Sequence, residues 1–356
     1  MAFTLGVSAS YAENSSKAAE TPVEPLAATT VNRLATTPAV SGTDAPALSG
    51  AAAPDSSDAN MPADTGDGHA AETSLVLSTS LTTRAEVQVK LSGSVEIPAF
   101  AGTEPLTQDN NVRVVGELAL SPVSVSASAE VVLTPIAFFQ VVTGGMVATG
   151  WSFLHADGLS LNEPGKNPDG SLDGSSRFTE KPFIGLVLSC KGGLVLQGDL
   201  AAAYPGEWNH VVFRSYQSVW YRALTAAKGD ASWQYENDVG EERNGWNYYA
   251  NYLLGYRMPL RFRLAGLLLE QEMNLYRSRG REAWGDDLSR FTLGLMGEYE
   301  LESDLTITAF VQIRTKRNYV DGTGDIDYYR LRKIDRDDPR SFEFYRVAAV
   351  VAWKLK

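Results

Sequence analysis

The chain lacks the residues that several classes of protein require. Its 356 residues include a single cysteine, which excludes a disulfide framework and any zinc site built on several cysteines. It contains no run of about 18 apolar residues, the length that a membrane-spanning helix needs. A membrane-spanning β-strand is not excluded, because about 9–11 alternating residues are enough for one.

Basic residues are also scarce relative to acidic ones. The chain has 31 Lys and Arg against 43 Asp and Glu, which gives a formal net charge of −12 and an isoelectric point near 4.8. We therefore expect no nucleic-acid partner. Hydrophobic residues make up 44% of the chain and the mean hydropathy is −0.16, too polar for a helical membrane protein.

The C-terminal residues 341–356 alternate between two kinds of side chain. One face reads Glu343, Tyr345, Val347, Ala349, Val351, Trp353 and Leu355. The other reads Phe344, Arg346, Ala348, Val350, Ala352, Lys354 and Lys356. An apolar stripe with an aromatic residue near each end, opposite a small or charged face, is typical of a strand between lipid and a polar lumen. A strand of a soluble β-sandwich also alternates, and the competing hypothesis is a soluble, secreted all-β protein.

The same alternation recurs along the chain and predicts an all-β fold, a transmembrane antiparallel β-barrel of about 12 strands, within a range of ten to fourteen. The predicted strands are 1–12, 75–91, 112–120, 123–133, 137–153, 183–204, 211–224, 246–258, 260–274, 291–301, 305–316 and 341–356. The domain prediction has three parts: 1–12 as the first barrel strand, 13–72 as a disordered low-complexity external loop, and 73–356 as the remainder of the barrel.

The connections alternate between short turns and long polar segments. Outer-membrane barrels have short periplasmic turns and long external loops. Counting strands back from a periplasmic C-terminus places the long loops outside and the N-terminus in the periplasm. The exception is 92–111, a longish connection on the periplasmic side.

Charged residues of both signs are predicted to face the lumen. The candidates for lining it are Arg84, Glu86, Arg113, Glu117, Glu130, Arg257, Arg314 and Arg346. Such charges either pair into a network that fills the barrel or line a narrow, water-filled path. Neither sign dominates, so a path would have weak ion selectivity. Cys190 is predicted on the lipid-facing side as a small hydrophobic residue.

Two further patterns could carry chemistry. Asp169, Ser171, Asp173 and Glu180 match the spacing of a calcium loop, but helical flanks are absent, and an external loop rich in Asp-Gly turns explains them too. The histidines are His69, His155 and His210, and none is placed with a serine and a carboxylate as a hydrolase requires. We therefore expect no enzymatic activity and no cofactor beyond possible calcium.

Three short segments resemble outer-membrane barrel proteins of spirochaetes, particularly treponemes. They are Leu118-Ala119-Leu120-Ser121-Pro122-Val123, Thr134-Pro135-Ile136-Ala137-Phe138-Phe139 and Pro205-Gly206-Glu207-Trp208-Asn209-His210. The resemblance extends from about Thr73 to the C-terminus. It implies an outer-membrane location and a porin-like or host-facing role, and it brings no catalytic residues. The chain departs from the common barrel pattern in ending Trp353-Lys354-Leu355-Lys356 rather than in Phe or Trp.

Two functional hypotheses follow. The first is porin-like transport of small hydrophilic solutes through the barrel. The alternative is a barrel-anchored surface protein whose external loops bind host or envelope molecules. The expected partners are outer-membrane lipid and small solutes or host surface molecules, and a monomer is expected.

Overall fold

The computed structural model describes most of the chain from residue 71 onwards. The described residues are 71–84, 86–103, 106–107, 110–153, 156–178, 182–229, 231–236, 242–275, 284–324, 326 and 331–355. Seventeen strands lie in this part of the chain: β1 (Glu72–Thr82), β2 (Val87–Pro98), β3 (Asn111–Leu120), β4 (Ser124–Ile136), β5 (Phe139–Gly150), β6 (Ser152–Phe153), β7 (Ala156–Asp157), β8 (Leu159–Lys166), β9 (Leu172–Phe178), β10 (Val187–Asp199), β11 (Val211–Leu224), β12 (Ser232–Tyr235), β13 (Gly245–Arg257), β14 (Phe262–Asn274), β15 (Arg290–Glu302), β16 (Leu305–Arg317) and β17 (Arg340–Lys354).

Twelve of these strands form one closed antiparallel barrel. The order around the ring is β1-β17-β16-β15-β14-β13-β11-β10-β5-β4-β3-β2, and the ring closes where β1 pairs with β17. A 3₁₀ turn at Leu200–Ala202 follows β10. Within the described part of the chain, no helix has the length and apolarity to cross a membrane. The predicted fold class, an antiparallel β-barrel of about twelve strands, is confirmed.

The first hairpin differs from the prediction. Residues 75–91 were expected to form one strand, but the chain reverses in the turn 83–86, where the N–H of Thr82 donates to the carbonyl of Glu86 (3.1 Å). The expected connection 92–111 is partly strand as well, because β2 continues to Pro98. The twelve barrel strands therefore all lie between Glu72 and Lys354, because β1 and β2 are two strands where one was predicted. The predicted first strand, 1–12, lies outside the described residues.

The extra reversal changes which end of the barrel the chain enters. Glu72 begins β1 at the end where β17 finishes, as the pairing of Val76 with Lys354 shows. We call this the C-terminal end, and the opposite one, which carries the connections 151–186, 225–244, 275–289 and 318–339, the long-loop end. Segment 13–72 was predicted to join the barrel at the long-loop end. That placement is wrong for its last residue, and residues 13–70 lie outside the described part.

Alternating side chains divide the barrel wall into two faces. Leu81, Val89 and Leu118 are exposed on the outside, whereas the alternate residues Ser80 and Lys90 are buried on the inside. Successive side chains of a strand point to opposite faces, so the sequence pattern determines which face each side chain occupies. Cys190 is exposed on the outer face, in agreement with its predicted position.

A β-bulge interrupts this alternation in β17. Gln312 pairs with Arg346, but the next residue of β16, Ile313, pairs with Phe344, so Tyr345 is the extra residue. Bulges leave two residues opposite one and reverse the facing beyond them. Phe342 and Phe344 are consequently 68% and 62% exposed on the outside. The predicted outward facing of Glu343 and Tyr345 is wrong, because both lie on the lumen side of the bulge.

A small sheet closes over part of the long-loop end. Strands β8, β9 and β12 form it, in the order β12-β8-β9, and we call it the cap sheet. Its Leu159 and Trp233 are buried against Val187 and Leu224, which point into the barrel. The cap sheet therefore packs against the inner wall of the mouth and narrows it.

Candidate functional site

The bulge places one aromatic ring among three arginines. The guanidinium carbons of Arg314, Arg346 and Arg84 lie 4.4, 4.8 and 5.2 Å from the centroid of the Tyr345 ring. Distances below about 6 Å are typical of cation–π contacts. We call these four residues the arginine–tyrosine cluster. Arg84 belongs to the turn 83–86, so it lies near the long-loop end and not in the middle of a strand as predicted.

Two carboxylates neutralise part of this cluster. Arg346 Nη1 lies 3.1 Å from Glu86 Oε2, and Arg314 Nε donates to Glu343 Oε1 over 2.7 Å. Arg346 is completely buried, so its charge is stabilised by Glu86 rather than by bulk water. Four predicted lumen residues (Arg84, Glu86, Arg314 and Arg346) are therefore brought together, with Tyr345 and Glu343 as members that the alternation pattern missed.

A chain of buried hydrogen bonds extends from Arg346 along the wall. Arg346 Nε donates to Gln312 Oε1 (2.8 Å), and Gln312 Nε2 donates to Glu270 Oε2 (3.4 Å). Glu270 also accepts a bond from the hydroxyl of Tyr249 (2.7 Å). We call this chain the lumen belt. It links β13, β14, β16 and β17, and it holds polar side chains in fixed positions on the inner face.

Three other predicted residues lie on the opposite wall. Lys90 Nζ is 3.1 Å from Glu117 Oε2, and Lys191 forms an ion pair with Glu130. Arg113 points inward from the same wall. The two carboxylates are more exposed than Arg346, since the Glu117 and Glu130 side chains keep 18% and 14% of their surface exposed. This wall is charged, with acidic and basic groups interleaved.

Arg257, the last predicted lumen residue, lies at the C-terminal end. It lines a cavity of about 390 Å³ together with Arg263, Glu298 and Glu300. Arg263 Nε donates to Glu300 Oε2 over 2.7 Å. The structure thus separates Arg257 from the arginine–tyrosine cluster, which lies toward the other mouth.

Part of the inner wall is apolar. A buried cluster on β13–β17 is formed by Leu253, Leu264, Leu268, Met296, Phe310 and Ala348. These side chains occupy lumen-facing positions, so they fill space that water would otherwise take. A second buried cluster, formed by Val132, Val142, Val195, Tyr216 and Tyr249, lies on β4, β5, β10, β11 and β13. Apolar side chains therefore fill lumen space beside charged groups on both sides of the barrel.

A further charged group at the long-loop end was not predicted. Arg243 forms an ion pair with the fully buried Asp286, and Arg317 Nη2 lies 3.7 Å from the same carboxylate. Nearby, Arg222 Nη1 is 2.6 Å from Glu242 Oε1. Four of these five residues line a small cavity of about 40 Å³. Three of the five lie in connections, where no alternation exists to indicate which way a side chain points.

The predicted calcium loop is a β-hairpin. Asp169 Oδ1 accepts bonds from the N–H (2.9 Å) and hydroxyl (2.6 Å) of Ser171, and these bonds lower the pKa of the Asp169 carboxyl. Asp173 accepts the same pair of bonds from Ser175. Because Ser171 is followed directly by the extended β9, the segment does not wrap around a central point. Glu180 lies outside the described residues, and the described part of the chain contains no group of three acidic, His or Cys side chains suited to a metal.

His210 has a carboxylate partner that the sequence did not indicate. Its Nδ1 lies 2.7 Å from Asp199 Oδ2 at the C-terminal end of the barrel. Among the described residues, no serine hydrogen-bonds to this histidine. His69 and His155 lie outside the described residues.

Comparison with known proteins assigns the chain to no family by sequence. No protein-family model matches the chain, and no curated protein matches it. Among solved structures it is similar to a KdgM porin, with a TM-score of 0.32 and 9% identity over 80% of this chain and 99% of that one. It is also similar to the β domain of the Bordetella autotransporter BrkA, with a TM-score of 0.32 and 8% identity over 79% of this chain and 97% of that one. Likenesses this distant carry no weight for function, and the barrel fold rests on the closed ring of strands. The spirochaetal resemblance stays a prediction.

Proposed function

We propose that this chain is an outer-membrane β-barrel that lets small hydrophilic solutes pass through its lumen. The observation that carries the proposal is the contrast between the two faces of one closed barrel. The outer face presents exposed apolar side chains, and the charged inner wall pairs Lys90 with Glu117 and Lys191 with Glu130. A barrel that separates lipid from water needs this arrangement.

Aromatic residues support a membrane location. Trp246 and Tyr221 contact each other on the outer face near the long-loop end, with ring centroids 5.4 Å apart. Trp353 and Tyr299 are exposed near the C-terminal end. Aromatic side chains at the two edges of an apolar band favour the two membrane interfaces. We propose that the long-loop end is external and that Glu72 and the C-terminus are periplasmic.

The proposed path is narrow. The apolar cluster on β13–β17 and the cap sheet both occupy space inside the barrel. Charges of both signs also face the lumen, which favours weak selectivity between anions and cations. The proposal includes no catalytic step and no metal.

Liposome swelling tests the proposal. The refolded full-length protein is expected to admit small uncharged sugars faster than protein-free liposomes do, with a steep decline as solute size rises. Glu117→Gln and Lys90→Gln form a matched pair, since each removes one member of the same ion pair. We expect them to shift ion preference in opposite directions, toward anions and toward cations respectively. Folded protein that causes no swelling would contradict transport.

The cap sheet favours a second candidate function. The cap sheet packs on the inner wall of the barrel through a buried core that includes Trp233 and Tyr235, and this packing fixes its position at the long-loop end. That is the arrangement expected of a barrel-anchored protein whose external loops bind host or envelope molecules. Absence of swelling with the barrel intact would favour this alternative.

A further inference from the structure

A patch of four neighbouring polar side chains lies on the outer face of the barrel, which presents many exposed apolar side chains. Ser215 and Gln217 project outward from β11, and Tyr248 and Tyr252 project outward from β13. The exposed Val219 shares the facing of Ser215 and Gln217 on β11. We call these four polar residues the outer polar patch.

The strand register places Gln217 near the middle of the apolar band. Gln217 pairs with Ala250 on β13. Ala250 lies four residues from Trp246, which belongs to the aromatic contact near the long-loop end, and six residues from Tyr256 toward the other end. The hydroxyl of Tyr256 donates to the carbonyl of Trp208 near that other edge (2.9 Å). Gln217 thus lies between the two aromatic edges, at the depth of the lipid hydrocarbon.

The amide of Gln217 is incompletely satisfied there. Tyr248 donates its hydroxyl to Gln217 Oε1 over 3.3 Å, and Gln217 Nε2 donates to Ser215 Oγ over 3.4 Å, both long bonds. An amide has two N–H donors and two acceptor lone pairs, so one of each has no partner among the described residues. Thr143, also outward-facing, differs because its hydroxyl donates to the carbonyl of Lys191 within the sheet (3.2 Å). Hydrocarbon offers no hydrogen bonds to groups that the protein leaves unpaired.

We propose that the outer polar patch is the interface with a second copy of this chain, related to the first by a two-fold axis. A two-fold interface brings the same surface from both copies together, so that surface must complement itself. The patch meets this requirement, because its amide and hydroxyl groups are neutral and each can both donate and accept. The two Gln217 amides can then bond to each other, which satisfies the donor and acceptor that are left over.

The neighbouring surface allows close approach. Gly192 on β10 faces outward opposite Val219, and a Cβ atom added there would meet nothing within 4 Å. Small residues beside polar ones are typical of interfaces between membrane-embedded segments. The inference replaces the monomer expected from the sequence. It rests on the membrane location in the proposed function, but it does not depend on an open lumen.

Cysteine cross-linking tests the interface, because Cys190 is the single cysteine of the chain. In a Cys190→Ala background, Val219→Cys places a thiol beside Gln217, and Leu118→Cys places one on β3, well away from the patch. Both positions are outward-facing, 39% and 59% exposed respectively. Oxidation of the full-length protein in liposomes should give covalent dimers for Val219→Cys and none for Leu118→Cys. Equal yields, or no dimer from either variant, would overturn the proposal.

Gln217→Leu is the second arm, made in the Val219→Cys background. It removes the unsatisfied amide and should leave the barrel folded, as judged by its heat-dependent gel shift, while the cross-link is lost. A cross-link that survives unchanged would show that Gln217 does not hold an interface. Protein that stays folded and soluble without detergent would overturn the membrane location and the interface together. Dimers without liposome swelling would overturn transport alone.

Discussion

Arg346 combines complete burial with a full set of partners. Its guanidinium contacts Glu86 Oε2 at 3.1 Å and Gln312 Oε1 at 2.8 Å, and it lies over the ring of Tyr345. A buried charge is tolerated only when paired and hydrogen-bonded. Arg346 therefore holds β16, β17 and the 83–86 turn together.

Arg346→Met tests this structural role. Methionine has a comparable length but no charge, so Glu86 would remain buried without its cation. We expect a loss of roughly 3–5 kcal/mol in the free energy of unfolding, measured by denaturant titration in detergent. Arg336→Met is the control, because the Arg336–Asp287 ion pair is largely exposed and its loss should cost about 0–1 kcal/mol. Equal losses for the two variants would contradict the buried role of Arg346.

Adjacent valines on β3 test which face meets lipid. Val114 is exposed on the outer face, and Val115 faces the lumen opposite Glu130. Val114→Arg should cost roughly 2–4 kcal/mol, because it places a cation near the middle of the bilayer. Val115→Arg should cost much less, since its cation lies opposite Glu130 on the lumen side. Unfolding of both variants in lipid bilayers measures the difference, and the reverse order would show that the faces are misassigned.

The sequence predicted the lumen side chains well where alternation is regular. Arg314 and Arg346 face inward as expected, but Glu343 and Tyr345 were placed outside because one extra residue at the bulge reverses the parity. The pattern did contain a signal. Phe342 and Phe344 are large apolar residues on the supposed lumen face, and their parity matches a lipid-facing stripe only if the strand has a bulge after them.

At the scale of elements, Glu236 connects the cap sheet to the barrel rim. It follows β12, adopts a positive φ of 54°, and accepts a hydrogen bond from the hydroxyl of Ser124 at the start of β4. Burial raises the pKa of Glu236 to about 7, and the negative charge of Glu86 acts in the same direction. The bonds from Ser124 and Tyr235 and the charge of Arg222 oppose this shift. The cap sheet is therefore docked through a carboxyl group that is easily protonated.

This contact predicts a pH-dependent cap. In the docked cap sheet the pKa of Glu236 is raised from 4.5 to about 7. Between these two pH values the docked carboxyl group keeps a proton that an exposed carboxyl group has lost. Docking should be strongest below pH 4.5, weaken as the pH rises to about 7, and level off above that. Hydrogen exchange of β12, corrected for intrinsic rates, should be at least about tenfold faster at pH 8 than at pH 4.5, since one pKa unit corresponds to a factor of ten.

Glu236→Gln is the control for that experiment, because the amide keeps the shape of the side chain and does not titrate. Its exchange rates should be nearly independent of pH. If the variant and the parent protein share the same pH dependence, another group controls the cap.

Most barrel strands were predictable, and the exceptions have physical reasons. A turn of four residues, an even number, leaves the alternation of apolar and polar side chains in phase on its two sides. The sequence 75–91 therefore has the pattern of one strand, although Leu81 pairs with Val87 across a hairpin. The cap sheet was not predictable from alternation. Its strands β8, β9 and β12 are short, and their packing depends on contacts with the barrel wall that are distant in the sequence.

At the scale of the whole molecule, the described part of the barrel is asymmetric in two ways. Its long connections lie at one end, and its outer polar patch lies on one side. We propose that the path of water and solutes runs beside β2, β3, β4 and β10, which carry the Lys90–Glu117 and Lys191–Glu130 ion pairs. Overall strand order could be expected from sequence, but this distribution follows from closing the ring and from the loops that fold into it.

Single-channel recording tests the central claim that a hydrated path runs along the charged wall. The full-length protein, refolded in detergent and shown to be folded by its β-type circular dichroism and heat-dependent gel shift, is inserted into a planar bilayer. We predict small, discrete and reproducible conductance steps with weak ion selectivity. Folded, inserted protein that gives no steps would contradict the claim and show that the side chains and the cap sheet fill the lumen.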